Sequence, residues 1–96
     1  MKMPGSKGCI RYTIEYLDSV IEEDIPKLPT ATQNTIKKAI EERLIVDPIG
    51  FGKPLRYSLK GHRRLRVSDY RIVYRIEVST NIVLIFAIKH QKDVYE

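Results

Sequence analysis

Eight cations, Lys53, Arg56, Lys60, Arg63, Arg64, Arg66, Arg71 and Arg75, fall between residues 53 and 75 and are opposed there only by Asp69. Eight positive charges against one negative give that stretch a formal +7, and because the whole 96-residue chain carries +5 the remainder sums to −2. Guanidinium and ammonium groups gathered in this way suit phosphate, since each arginine offers a planar fork of N–H donors and stays charged at every relevant pH. Clustered like charge is unfavourable unless solvent or a counter-charge offsets it, and a polyanion is such a counter-charge. A face that serves only solubility usually mixes signs; this stretch does not.

Other chemistries find little to work with. The single Cys9 cannot form an intramolecular disulfide, and no Cys/His cluster has metal-ligand spacing, so neither a disulfide framework nor a structural zinc site is expected. A reducing cytoplasm is the expected setting. Met1 to Gly8 contains Lys2 and Lys7 but lacks the apolar stretch of a signal peptide, and the most apolar run, Ile82 to Ile88, is too short to span a bilayer. No membrane partner is expected.

The elements that must position the cations follow from hydrophobic periodicity. Ile10, Tyr12, Ile14 and Tyr16 alternate with Arg11, Thr13 and Glu15, which predicts a half-buried first strand. Asp18 or Ser19 is placed to cap a short helix with Glu22, Glu23 and Asp24 in its first turns and an apolar stripe of Val20, Ile21, Ile25 and Leu28; Pro26 and Pro29 limit it. Thr30 and Gln33 have capping-box spacing ahead of a second helix, whose stripe is Ile36, Ala39, Ile40 and Leu44 and whose end is expected near Asp47 and Pro48. Gly50, Gly52 and Pro54 then predict a loop. Strands are expected over His62 to Val67, Tyr70 to Val78 and Ile82 to Ile88, joined by links short enough to make them antiparallel neighbours. A single α+β domain results, β-α-α-β-β-β, with two helices packed on an antiparallel-dominated four-stranded sheet. Residues 1–9 are expected to be a flexible segment and residues 10–96 the domain.

Alternation also sorts the arginines. Leu65 and Val67 point to one side of their strand, while His62, Arg64 and Arg66 point to the other. Arg71, Val73 and Arg75 continue that second side on the partner strand, whereas Tyr70, Ile72, Tyr74 and Ile76 belong with the core.

The segment from Gly61 to Ile76, GHRRLRVSDYRIVYRI, resembles the RelE/ParE superfamily of toxin–antitoxin systems. Lys53-Pro-Leu-Arg56 looks like the family's approach to this hairpin and the segment 88–95, IKHQKDVY, like its closing motif; Tyr12-Thr-Ile14 and the stretch IPKLP at 25–29 fit as well. The resemblance implies a toxin neutralised by a cognate antitoxin that wraps around it. In the RelE branch it implies cleavage of messenger RNA on the ribosome, with no cofactor and no metal, and a block of translation; ParE-like members instead inhibit DNA gyrase and have no nuclease activity. Fold alone does not choose between the two.

For metal-independent RNA cleavage, a ribose 2′-hydroxyl attacks the adjacent phosphate while a base takes its proton, an acid protonates the leaving 5′ oxygen, and cations stabilise the phosphorane. With that chemistry implied, Arg64 and Arg71 are assigned to the phosphate, His90 to acid/base work because histidine is the side-chain type that exchanges protons near neutrality, and Tyr95 to stacking or proton transfer. Lys53, Arg56, Lys60, His62, Arg66 and Arg75 are assigned to RNA binding. Where many relatives carry an arginine after the closing-motif histidine this chain has Gln91, and parity along an extended segment puts Lys89 and Lys92 on the side opposite His90. Nuclease chemistry calls for Arg64, Arg71, His90 and Tyr95 to converge on a phosphate-sized space; gyrase binding makes no such demand.

Overall fold

The computed structural model describes residues 11–55 and 61–93; the proposed flexible segment 1–9, Arg56, Lys60 and Tyr95 lie outside them. Strand β1 is Thr13–Tyr16, and its alternation sends Ile14 and Tyr16 inward and leaves Thr13 and Glu15 exposed. Helix α1, Val20–Asp24, is one wide π-helical turn, and Ser19 precedes it without a side-chain cap; the Val20 and Ile21 amides instead donate to the Leu17 carbonyl. Of the expected stripe, Val20 and Leu28 are buried and Ile25 packs against the core, but the wide turn leaves Ile21 about half exposed at 52% and brings Asp24 inward instead.

Helix α2, Thr30–Ala39, continues into a second π-helical turn, Ile40–Leu44, and buries Ile36, Ala39, Ile40 and Leu44 as the periodicity requires. The capping box does not form, because the helix starts from Pro29. Gln33 reaches further back: its Nε2 donates to the carbonyls of Ile25 and Leu28, both at 3.0 Å, tying α2 to the end of α1.

The expected loop after Asp47 is replaced in part by a third helix, α3, Pro48–Phe51. Asp47 caps it, accepting from the Gly50 amide at 2.9 Å, with Pro48 at the first helical position where its missing N–H does no harm. Gly52 follows because a Cβ there would collide with the Tyr74 hydroxyl and sit 2.9 Å from the Arg64 carbonyl oxygen.

Among the described residues five strands, not four, make the sheet, in the order β1-β5-β4-β3-β2. The extra strand is β2, Lys53–Pro54, two residues long and paired antiparallel with β3, Arg63–Val67. It is too short to show a pattern in sequence, and its proline is tolerated at a sheet edge. The chain then runs through β4, Tyr70–Glu77, and β5, Ile82–His90, antiparallel to each other, while β1 joins β5 in parallel. Ser68 and Asn81 take left-handed backbone at the two hairpin turns, φ 55° each.

One irregularity shapes the sheet. Val73 pairs with Ala87 but the next residue, Tyr74, pairs with Ile85, so Phe86 is an extra residue in β5 and forms a bulge. It lets Val83, Ile85 and Ile88 all turn into the core, where they meet Ile36, Ile40 and Leu44 of the helices and Leu65, Ile72 and Tyr74 of the sheet. Beyond β1 the edge of β5 is closed by α1, where Asp24, only 6% exposed, accepts from the Ile88 amide and from Lys89 Nζ, each at 2.9 Å.

Candidate nucleic-acid interface

The face of the sheet turned away from the helices gathers the cations. Register places Arg66 opposite Arg71, and Arg71 opposite Lys89, so three cations form a row across β3, β4 and β5. Beside it runs a second row, Lys53 opposite Arg64 and Arg64 opposite Val73. Alternation puts both rows on one surface while Leu65 and Val67, at 4% and 6% exposure, hold the strand down from the other side. Arg64 and Arg71 are half-buried and Arg66 is exposed.

Other residues singled out in the sequence sit differently. Arg75 Nε lies 3.2 Å from Glu77 Oε2 on an exposed part of β4, so its charge already faces a carboxylate. His62 stands edge-on to Phe86, ring centroids 4.4 Å apart, and its buried Nδ1 has no hydrogen-bond partner among the described residues. Arg63 belongs to the opposite side of β3: its Nη2 donates to the carbonyls of Ile49 and Gly52, at 2.8 and 3.1 Å, where a cation complements the end of α3. Beside it the Tyr74 hydroxyl donates to the Pro48 carbonyl. Burial raises the Tyr74 pKa above the ordinary tyrosine value; the Arg63 hydrogen bond and charge act against that rise, and Asp47 adds to it.

His90 does not join the arginine rows. It pairs with Tyr70, whose ring packs against the core, and the two rings meet edge-on at 5.2 Å. Since Arg71 pairs with Lys89, the neighbouring His90 points to the helix side. There it lines a cleft of about 420 Å³ with Asp24, Lys27, Leu28, Tyr70 and Lys89. Its Nδ1 accepts from the Lys92 amide at 3.3 Å, which puts the proton of the neutral ring on Nε2.

The structure thus brings together Arg64, Arg66, Arg71 and Lys53, sets His90 on the other side, and adds Lys89, which sequence parity had set aside. The signal for Lys89 was its place in β5, legible only once the Phe86 bulge fixes the register. The Lys89 ammonium is held by Asp24 at the strand edge, a buried acid that sequence reading had treated as an ordinary residue of the first helical turns.

Comparison with known proteins agrees with this architecture. The family model described as the ParE toxin of type II toxin–antitoxin systems matches residues 11–95. The curated protein Toxin RelG of Mycobacterium tuberculosis is 31% identical over 84 residues, covering 88% of this chain and 95% of its own. Among solved structures, the RelBE2 toxin–antitoxin complex of the same organism superposes with a TM-score of 0.80 at 29% identity, covering 85% of this chain and 93% of that one. The toxin in the intact E. coli RelBE complex shares the fold, with a TM-score of 0.68 at 20% identity over 82% of this chain and 95% of that one. A match that spans the described domain from end to end, on a fold whose sheet carries the cation rows, shows that the chain belongs to the ParE toxin family of type II toxin–antitoxin systems, within the RelE/ParE superfamily.

Proposed function

We propose that this toxin acts on messenger RNA at the ribosome, cutting it and so blocking translation, and that a cognate antitoxin neutralises it. The observation that carries this reading is the group of cations Arg66, Arg71, Lys53 and Arg64 on the face away from the helices, with Lys89, ion-paired to Asp24, at the end of the first row. Cations spaced along a surface track a phosphate backbone, and a fixed guanidinium can stabilise the charge that builds on phosphorus as the 2′-hydroxyl attacks. Arg71 sits centrally, with Arg66 directly across from it and Arg64 diagonal to it on β3, so it is assigned to the phosphorane; Arg66 and Lys53 hold the flanking backbone. With His90 on the helix side, Tyr95, outside the described residues, takes over the proposed proton transfer. The antitoxin follows from the relatives, since the M. tuberculosis and E. coli neighbours are toxin–antitoxin complexes; an acidic or amphipathic partner fits a face of this charge.

A second reading, inhibition of DNA gyrase without nuclease activity, is favoured by two observations: the matching family model is that of ParE toxins, and His90 does not converge with the arginines. One experiment separates the two. After induction in bacteria, new messenger-RNA 5′ ends inside coding regions are expected, with chromosomal DNA intact. Intact transcripts accompanied by gyrase-dependent DNA breaks would overturn the nuclease reading.

A further inference from the structure

The arginine face does not stop at the sheet edge. β2 pairs with Arg63 and Arg64, so among the described residues β3 has no strand partner beyond Arg64 on that side. There a cleft of about 280 Å³ opens, lined by Arg43 from the π-helical turn that ends α2, Phe51 from the last position of α3, and Lys53, Arg64, Leu65 and Arg66 from the sheet. Among the described residues that line it, four of six are cations and none is acidic. Phe51 is one-half exposed, at 50%, and thus presents an apolar ring in the midst of that charge. Neither Arg43 nor Phe51 carries any part of the function proposed above.

Like charges gathered round an open cleft repel one another, so an anion that enters it is favoured, and phosphate is the anion that arginine forks fit best. A phosphate alone leaves the phenyl ring without a role. Proteins that hold single-stranded nucleic acid combine these two features, a basic groove for the backbone and an aromatic ring on which a base stacks. The volume suits one such unit, lying just under the roughly 300 Å³ at which small-molecule pockets begin. A helical duplex keeps its bases stacked on one another and offers none to Phe51, so the ligand is single-stranded.

We propose that this cleft binds the nucleotide flanking the cleaved phosphate of a single-stranded RNA, with its base against Phe51 and its phosphate against Arg43 and Arg66. The assignment rests on the messenger-RNA reading and extends the RNA path from the arginine rows round the edge of β3 to the helix side. It also makes Phe51 and Arg43 binding residues whose loss weakens RNA capture without removing a group from the reacting centre.

The test uses the full chain in a translating cell extract and reads the toxin concentration that gives half-maximal messenger-RNA cleavage. Phe51→Ala is expected to raise it about tenfold, as loss of one base–aromatic stack does, and Phe51→Tyr to restore it. Arg43→Gln is expected to raise it as well, while circular dichroism and thermal unfolding of all three variants match the unsubstituted protein. Unchanged half-maximal concentrations in Phe51→Ala and Arg43→Gln, with the unsubstituted toxin cleaving, would overturn the cleft assignment and leave the RNA reading standing. No cleavage by the unsubstituted toxin would overturn both. Cleavage unchanged in Phe51→Ala but capture of the cognate antitoxin lost would reassign the cleft to a protein partner.

Discussion

Among the described residues Arg71 is the one cation with a cationic cross-strand neighbour on each side, Arg66 and the Asp24-bound Lys89, and this central place suits it to charge that builds on a phosphate. Arg71→Ala is expected to abolish growth arrest while leaving the fold intact by circular dichroism, with cleavage reduced about 10²–10³-fold, as when one oxyanion-stabilising donor is lost. Growth arrest that persists in this variant would remove Arg71 from the site. Tyr74 shows a residue-scale effect of a different kind, on stability. Its pKa is raised by burial, and that of Tyr16 by burial and then by the Glu41 carboxylate. A tyrosine with a raised folded-state value holds its proton more tightly folded than unfolded; its contribution is complete below the unfolded value of about 10 and is lost as pH rises through the folded one. Urea-unfolding stability should therefore decline above about pH 10, and Tyr74→Phe should decline less steeply, from a starting point lower by about 1 kcal/mol for the lost hydrogen bond to Pro48. An equally steep decline in Tyr74→Phe would assign the alkaline loss to other groups.

At the scale of elements, α3 is the piece that links the helix layer to the cation rows, because Arg63 and Tyr74 grip its carbonyls from β3 and β4. Asp47→Ala removes its cap and should cost about 1 kcal/mol in chemical denaturation. Gly52→Ala should cost more, about 1–3 kcal/mol, because the Tyr74 hydroxyl and the Arg64 carbonyl leave no room for a methyl group. A Gly52→Ala protein as stable as the parent would refute that close approach. The join between α1 and β5 depends similarly on Asp24: in Asp24→Ala the Ile88 amide loses its acceptor, with a penalty of about 1–3 kcal/mol and earlier hydrogen exchange at Ile88 than at Ile85.

Over the whole molecule, the helices and the inner sheet face form one core, and the sheet's other face carries Lys53, Arg64, Arg66 and Arg71. The charge is therefore directional, and binding to single-stranded RNA should weaken with salt along a log–log line whose slope changes by about 0.7 for each phosphate contact. Arg66→Gln, which removes an exposed cation from that face, should lower the slope by about one such step and leave thermal stability unchanged. A slope unaltered by this substitution would place the RNA elsewhere. No helix among the described residues is long and apolar enough to cross a membrane.

Local chemistry was legible in the residues themselves. The alternation of β1, the stripe Ile36, Ala39, Ile40 and Leu44, the two hairpins and the inward turn of Leu65 and Val67 all follow from periods of two and 3.6, and each is stabilised by the same burial that makes the period visible. The sharing of one face by Arg64, Arg66 and Arg71 follows from the same alternation, and the motifs around them sufficed for the family. Asp47 and Pro48, which cap and open α3, were read only as the end of the second helix, because the glycines after them suggested a loop. What pattern could not supply was anything set by contacts between distant segments: the two-residue β2, the reach of Gln33 back to α1, and above all the Phe86 bulge. Without that extra residue, Ile88 would stand opposite Arg71 and His90 would fall on the arginine face. With it, Lys89 stands opposite Arg71 and His90 turns to Tyr70. A one-residue slip in a strand inverts every side chain beyond it, and Ile85 and Ile88 can both enter the core only if β5 slips. Sequence determined which residue types face phosphate; core packing decided which of the last strand's side chains stand beside them.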